Sequence, residues 1–359
     1  MLKLPVMNLK GSPEKIGRAV GLKFKALIHK EVKVLFDNLR FLSPLPLTKE
    51  HCLKLSGKYF PYAQKYAPEL VEEIEGISDG AGLGLEEVFF LNCYLDISSD
   101  LFRPKMAFEL LGCSSLAASG KATADKEVII GQNFDVNVAF QDSSILLAVR
   151  TKLGASSLIY TLAGLVGCVG INSNGISVMN NTLFSSGPRP GVPFAFIVRK
   201  ILAQKTIGEA LDAVLKARRA TGMNYLLSNP KGEIYDLETT ASKAEVISPQ
   251  KDYICHTNHF LSSKLKRYEI VKLENSINRW TRIKKILGDC YGKLTPELFK
   301  EILADHKNYP NSICYHSDPR STRYRRLKTV SSIICLPRAK KMIYTNGNPC
   351  ESDFIEHSL

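Results

Sequence analysis

Apolar positions in the first hundred residues recur with a helical period. In SPEKIGRAVGLKFKALIHKEVKVLFDNL they return every three or four residues, behind Ser12 as an N-cap type and Pro13 at the first turn. TKEHCLKLSGKYFPYAQKYAPELVEEIEGI predicts a second helical segment, broken near Pro61 because proline removes a backbone donor. GLGLEEVFFLNCYL predicts a third, shorter one.

From Cys113 the pattern changes. Short runs rich in Val, Ile and Tyr (EVIIGQN, SSILLAVRT, SSLIYTLA, CVGIN, ISVMNN) alternate with turn residues and predict strands. Ser173-Asn174-Gly175 predicts a hairpin turn, since Asn-Gly reaches positive φ at little cost. Helices are predicted in VPFAFIVRKILAQK and TIGEALDAVLKARRA, then a hairpin around Pro230-Lys231-Gly232, then strands in AEVIS and DYICHTN. Charged helical patterns run over about residues 262–287 and 296–304, and SSIICLPRAKKMIYT closes the chain with strands. Hairpins, helices and further hairpins in that order predict an α+β fold, antiparallel sheets covered by helices.

With 359 residues, 45% hydrophobic and 23% charged, the chain has the composition of a globular protein with one large or two modest domains. No apolar run approaches the roughly 20 residues of a membrane span. The N-terminus has no run of signal-peptide length, so a cytoplasmic location is expected. Nine cysteines form no CxxC, and the seven histidines lack zinc-finger spacing. Neither a disulfide scaffold nor a structural zinc site is therefore expected, and most thiols should be buried and inert. The net charge of +13 invites a nucleic-acid partner. The basic residues are dispersed, however, and the one concentration, PRSTRYRRLK at 319–328, is not interleaved with aromatic stacking platforms. A solvated basic face or a patch for an anionic substrate is expected there, and neither nucleic acid nor membrane as partner.

Gly112-Cys113 raises the question of chemistry. A cysteine nucleophile acts as its thiolate and needs a base nearby. A histidine can supply it. So can the chain's own α-amine, with a pKa of about 8, if the peptide bond before the cysteine is cut. Glycine before the cysteine suits such a cut, because a backbone without Cβ accepts strained geometry.

GCSS, GQNFD, VGINSNGISVMNNTL, RPGVPFAFIVRKIL, HTNH and NYPNSIC follow one another along the chain. Together they resemble the acyl-CoA:6-aminopenicillanic acid acyltransferase family, also classed as the C45 peptidases. That family is one of the N-terminal-nucleophile (Ntn) hydrolases, related to choloylglycine hydrolase and acid ceramidase. The helical region before Cys113 resembles the family's pro-segment only in texture.

The resemblance implies a four-layer αββα sandwich and self-cleavage between Gly112 and Cys113. Residues 1–112 would form a helical pro-segment or α-subunit that stays bound, and 113–359 the catalytic piece. Cys113 would be the nucleophile and its freed α-amine the base, Asp135 would orient both, and Asn258 would help form the oxyanion hole. Asn133 would support Cys113, with Asn180 and Asn181 lining the pocket. Where some relatives carry an active-site arginine after SIC, this chain has Tyr315, so the charge is expected from Arg320 or Arg323, or is absent. An acyl thioester on Cys113 would pass its acyl group to water or to an amine. The substrate would be a small-molecule amide or acyl thioester, with acyl-CoA an open donor candidate and no metal or dissociable cofactor. Three other readings remain: an uncut cysteine enzyme using His256 or His259 as base, an inactive binding module of the same fold, and, ranked last, a basic protein that binds nucleic acid with steep salt dependence.

Overall fold

The computed structural model describes residues 4–43, 46–101, 111–151, 154–322 and 326–359. The chain begins with a strand, β1 (Val6–Lys10), which the helical reading of this region passes over. Its five residues are too few for a period, and its partner is distant. Helix α1 (Pro13–Lys23) then starts as predicted, Ser12 Oγ accepting the Lys15 N–H. The first predicted helix is in fact two. Phe24 leaves helical geometry at φ −110° and ψ 20°, and α2 (Lys25–Leu42) follows it. The second segment resolves into α3 (Lys49–Gly57), α4 (Phe60–Tyr66) and α5 (Pro68–Ala81), with Pro61 and Pro68 in first turns. Helix α6 (Leu85–Leu101) completes the region. At the crossing of α1 and α5 a methyl on Gly17 would stand 1.8 Å from the Glu73 carbonyl oxygen, so only hydrogen fits.

Strands β2 (Leu111–Ala118), β3 (Ile129–Asn137), β4 (Ser144–Arg150), β5 (Ser157–Leu162), β6 (Val169–Asn172) and β7 (Ser177–Thr182) come next. The β6–β7 hairpin turns at Gly175, φ +75°, as its Asn-Gly pair predicts. Helices α7 (Phe194–Leu202) and α8 (Ile207–Leu215) precede β8 (Met223–Ser228), β9 (Ile234–Thr239), β10 (Ala244–Ile247) and β11 (Tyr253–His256). Helix α9 (Glu274–Asp289), α10 (Pro296–Leu303), β12 (Leu327–Leu336), β13 (Lys341–Tyr344) and β14 (Ile355–Ser358) finish the chain. Helix α9 starts about a dozen residues later than its charge pattern predicts. Before it, the Glu238 carboxylate takes the N–H groups of Leu261 and Ser262, and Glu269 takes that of Phe260, so the segment stays a loop with one 3-10 turn.

Two sheets result. One runs β1-β4-β5-β6-β7-β8-β9-β10, the other β11-β2-β3-β12-β13-β14. Only β1–β4 is parallel; the other described pairs are antiparallel. The sheets face each other through β2, β3, β7 and β8. Helix α7 covers β6 and β7 from outside, while α9 and α10 cover β2, β3, β11 and β12. This is the four-layer αββα sandwich. Its inner strands are covered on both faces, which is why β3, β5, β7 and β8 are buried along their whole length instead of alternating. Among the described residues no helix is long and apolar enough to cross a membrane.

The 112/113 boundary falls inside a strand. Leu111, Gly112 and Cys113 pair in one register with Val136, Asp135 and Phe134. The first segment also supplies β1 to the eight-stranded sheet.

Candidate active site

Side chains directly opposite in an antiparallel pair share a face. Cys113 therefore lies with Phe134 on the face toward the other sheet, and Gly112 with Asp135 on the face toward α9. Cys113 opens on an apolar cavity of about 80 Å³. Phe134, Val136 and Thr182 form one side of it; Leu35, Leu91 and Leu95 from α2 and α6 form the other.

Beneath the strand, Arg279 of α9 is buried, 2% exposed. Its Nη1 donates to the Cys113 carbonyl oxygen at 2.6 Å and to Ser114 Oγ at 2.7 Å. Its Nη2 donates to Asn258 Oδ1 at 2.9 Å, and that oxygen also accepts the Cys113 N–H at 2.9 Å. Asn258 is held in turn: its N–H donates to Ser276 Oγ at 2.7 Å and its Nδ2 to the Thr182 carbonyl at 3.1 Å. Asp135 Oδ1 accepts from Thr329 Oγ1 at 2.6 Å, while Oδ2 is buried without a hydrogen-bond partner. A Cβ built on Gly112 would lie 3.3 Å from that Oδ2.

Burial sets the titration of the pair. It pushes the Cys113 thiol up to about 12, helped by the Asp135 charge and opposed by the Asp135 N–H, Arg279 and Gln132. It also pushes Asp135 up to about 6, against Arg279 and the Thr329 hydrogen bond. In the uncut chain the thiol is therefore protonated at neutral pH, and the carboxylate beside it is mostly ionised.

The family model for acyl-coenzyme A:6-aminopenicillanic acid acyl-transferase matches residues 122–351, more than half of the chain. The chain belongs to this acyltransferase family. The match includes Asp135, Asn258 and Arg279 and begins after Cys113. The chain is 28% identical over 250 residues to the acyl-coenzyme A:6-aminopenicillanic-acid-acyltransferase 40 kDa form of Emericella nidulans, covering 69% of this chain and 67% of that one. An uncharacterized protein of Archaeoglobus fulgidus is 22% identical over 355 residues, covering 87% of this chain and 59% of its own length. Among solved structures, a mutant conjugated bile acid hydrolase from Clostridium perfringens is similar at 12% identity and a TM-score of 0.49, covering 69% of this chain and 97% of that one. Penicillin V acylase from Agrobacterium tumefaciens is similar at 13% identity and a TM-score of 0.47, covering 69% and 86%.

The other residues that the acyltransferase resemblance singled out fall in different places. Asn133 sits two residues before Asp135 on the same face of β3, and its Nδ2 donates to the carbonyls of Leu303 and Ile313, both at 2.8 Å. It ties α10 and the following loop to β3. Asn180 lines the cavity and donates to the Cys168 carbonyl. Asn181 Oδ1 accepts from Ser115 Oγ across the sheets at 2.6 Å. Tyr315 reaches the site through its backbone, its N–H donating to Thr329 Oγ1 at 2.9 Å. Arg320 does not replace the arginine expected there: its side chain is 89% exposed and paired with Asp318, because it lies on a surface loop. Arg323 lies outside the described residues. Both His256 ring nitrogens are engaged, Nε2 with Glu238 at 2.8 Å and Nδ1 with the Thr257 carbonyl at 2.8 Å. His259 Nδ1 meets Ser276 Oγ at 2.8 Å.

Arg279 is the residue the motifs miss. A signal for it exists, since Ser276, Arg279, Ile283 and Leu287 form the buried stripe of α9 and Arg279 is the one cation on it. The motifs miss Thr329 as well, because no local pattern marks it.

Proposed function

We propose that this family member, an amide-bond hydrolase or N-acyltransferase, is made by cutting itself between Gly112 and Cys113 and then works through a thioester on Cys113. One observation carries this reading: the unpartnered Asp135 Oδ2 lies against Gly112, while Asn258 and Arg279 grip the backbone on the other side of the same peptide bond.

In the cut, Cys113 Sγ adds to the Gly112 carbonyl carbon, the C–N bond breaks, and the thiol proton passes to the departing nitrogen. In this reading Asp135 Oδ2, which lies against Gly112, would take part in that proton transfer. Water then hydrolyses the Gly112 thioester, leaving a carboxylate at Gly112 and a free thiol and α-amine on Cys113. In turnover the α-amine takes the thiol proton and Sγ attacks the substrate carbonyl. The leaving amine departs with that proton, or a thiol leaves if the donor is an acyl thioester such as acyl-CoA. Water or an amine then accepts the acyl group.

Asn258 Oδ1, which accepts the Cys113 N–H in the uncut chain, would hold the new α-amine in orientation. An oxyanion role needs Nδ2, which must then share or leave the Thr182 carbonyl. The acyl group would occupy the apolar cavity, so α2 and α6 of the 1–112 piece would shape specificity. The engagement of His256 and His259 supports the α-amine as base over either imidazole.

The test is intact-protein mass spectrometry on fresh wild-type protein and Cys113→Ala. Two pieces meeting at Gly112-Cys113 in the wild type, against one in the variant, are expected. A wild-type chain that stays whole on long incubation would refute the α-amine mechanism.

A further inference from the structure

We propose that His306, Cys314, His316 and Cys350 form a tetrahedral site for a zinc-class divalent cation, which clips two loops together beside the catalytic sheet. One ligand atom from each lies within 4.8 Å of the others. Four of the six separations lie within a few tenths of an ångström of tetrahedron edges. With metal–sulfur bonds of about 2.3 Å and metal–nitrogen bonds of about 2.0–2.1 Å, edges of about 3.8 Å for S···S, 3.6 Å for S···N and 3.3 Å for N···N are required. Cys314 Sγ and Cys350 Sγ are 3.6 Å apart, and His316 Nε2 lies 3.5 Å from the first and 3.4 Å from the second. His306 Nε2 and His316 Nε2 are 3.0 Å apart.

The surroundings fit a thiolate–imidazole centre. Asn348 Nδ2 donates toward Cys314 Sγ at 3.4 Å, the kind of outer contact that steadies a metal-bound thiolate. His316 Nδ1 faces the Glu351 carboxylate at 3.7 Å, too far for a hydrogen bond but within reach of its charge. Two thiolates and two neutral imidazoles leave no open position, which makes the site structural rather than catalytic. Binding replaces two thiol protons, so each cation taken up releases two protons.

Sequence spacing conceals this site. Cys350 lies 34 residues past His316, and His306 ten before it, so no zinc-finger pattern exists, and this is why the sequence alone predicts no structural zinc site. The sheet brings them together. Cys314 and His316 lie on the loop after α10, and Cys350 lies between β13 and β14. Between two of the ligands, the Tyr315 backbone pairs with Thr329, whose hydroxyl donates to Asp135. A clip there would steady the loop that orders the Asp135 carboxyl. The site does not depend on the self-processing proposal.

The experiment is titration of reduced, chelator-stripped full-length protein with Co²⁺, followed by Zn²⁺ displacement. One equivalent of cobalt is expected, with the visible absorption of tetrahedral Co(II) and thiolate charge transfer in the near ultraviolet, both erased by Zn²⁺. Cys350→Ser and His306→Ala remove exposed ligands and should keep the native circular dichroism yet lose this spectrum. Cys290→Ser should retain it. Zn²⁺ should raise the melting temperature of the wild type and not of Cys350→Ser. No stoichiometric cobalt spectrum, or one that survives Cys350→Ser, overturns the proposal. A Cys314–Cys350 disulfide in the isolated protein, with no cobalt uptake after reduction, overturns it too and makes the pair a redox couple.

Discussion

Arg279 and Cys113 converge on one oxygen of Asn258: Nη2 of the guanidinium and the Cys113 N–H each lie 2.9 Å from Oδ1. The same guanidinium holds the Cys113 carbonyl directly, while the cysteine's N–H reaches it through the Asn258 oxygen they share. Arg279→Met leaves those acceptors and the Asp135 carboxyl without it. Breaking such a buried charged set costs about 3–5 kcal/mol. We expect a lower melting temperature and little or no cut chain. Arg279→Lys keeps the charge but not the fork and should process slowly. Mass spectrometry over time reads both, and processing at the wild-type rate in Arg279→Met would show the cation to be dispensable.

Gly112 owes its identity to Asp135 more than to backbone conformation. Its φ is not in the left-handed region, yet a Cβ there would stand 3.3 Å from both Asp135 Cβ and Oδ2. Gly112→Ala should therefore fold and push the carboxylate off its position. Processing should slow by roughly tenfold or more, about 1.4 kcal/mol in the barrier. Asp135→Asn, which keeps the shape and removes the charge, should slow it further. Equal rates in Gly112→Ala and wild type would mean that contact has no part in the cut.

Stability should fall as pH rises. Burial pushes Glu31 up to about 8 and Asp96 up to about 8, with Lys30 partly offsetting the first and the Phe194 N–H the second. Unfolded, both carboxyls titrate at about 4. Between those values the native state holds protons that the unfolded state has lost, so each group subtracts up to about 1.4 kcal/mol per pH unit. In the uncut Cys113→Ala background, denaturant unfolding at pH 5 and pH 8 should show the loss, and Glu31→Gln should flatten it. Parallel pH profiles with and without Glu31 would contradict the assignment.

The two pieces should stay joined after cutting. Glu73 of α5 and Arg199 of α7 form a bidentate pair at 2.7 Å for each bond, and Arg199 also donates to the Val166 carbonyl at 2.9 Å. The pair is almost wholly buried, so removing one partner strands the other charge at about 3–5 kcal/mol. Arg199→Met should loosen the 1–112 piece, and gel filtration of the cut protein in mild denaturant should show it leaving at lower concentration than in the wild type. Co-elution of both pieces at every concentration, as in wild type, would place the joint elsewhere.

Much of this architecture follows from local chemistry. Ser12 and Pro13 start α1, Asn174-Gly175 closes the β6–β7 hairpin, and Thr206 with Glu209 forms a capping box at α8. Each acts through bonds within a few residues, which a sequence displays. The motif order likewise marked the family and pointed to Cys113, Asp135 and Asn258. Other features have no local cause. β1 exists because Val6–Lys10 finds β4 across the chain, and Phe24 breaks a helix whose hydrophobic period continues unbroken.

The chain by itself therefore determined which residue types were available, and the helix starts, turns and strand runs that short-range forces dictate. Tertiary structure alone decided which side chains meet. It carried Arg279 from a charged helix to the cysteine and left Arg320 on Asp318 at the surface. It also gathered His306, Cys314, His316 and Cys350 from separate loops. The physical reason is burial. A guanidinium on the inner face of α9 must find partners once α9 covers the sheet, and the register of β11 against β2 sets Asn258 beside the Cys113 carbonyl as those partners.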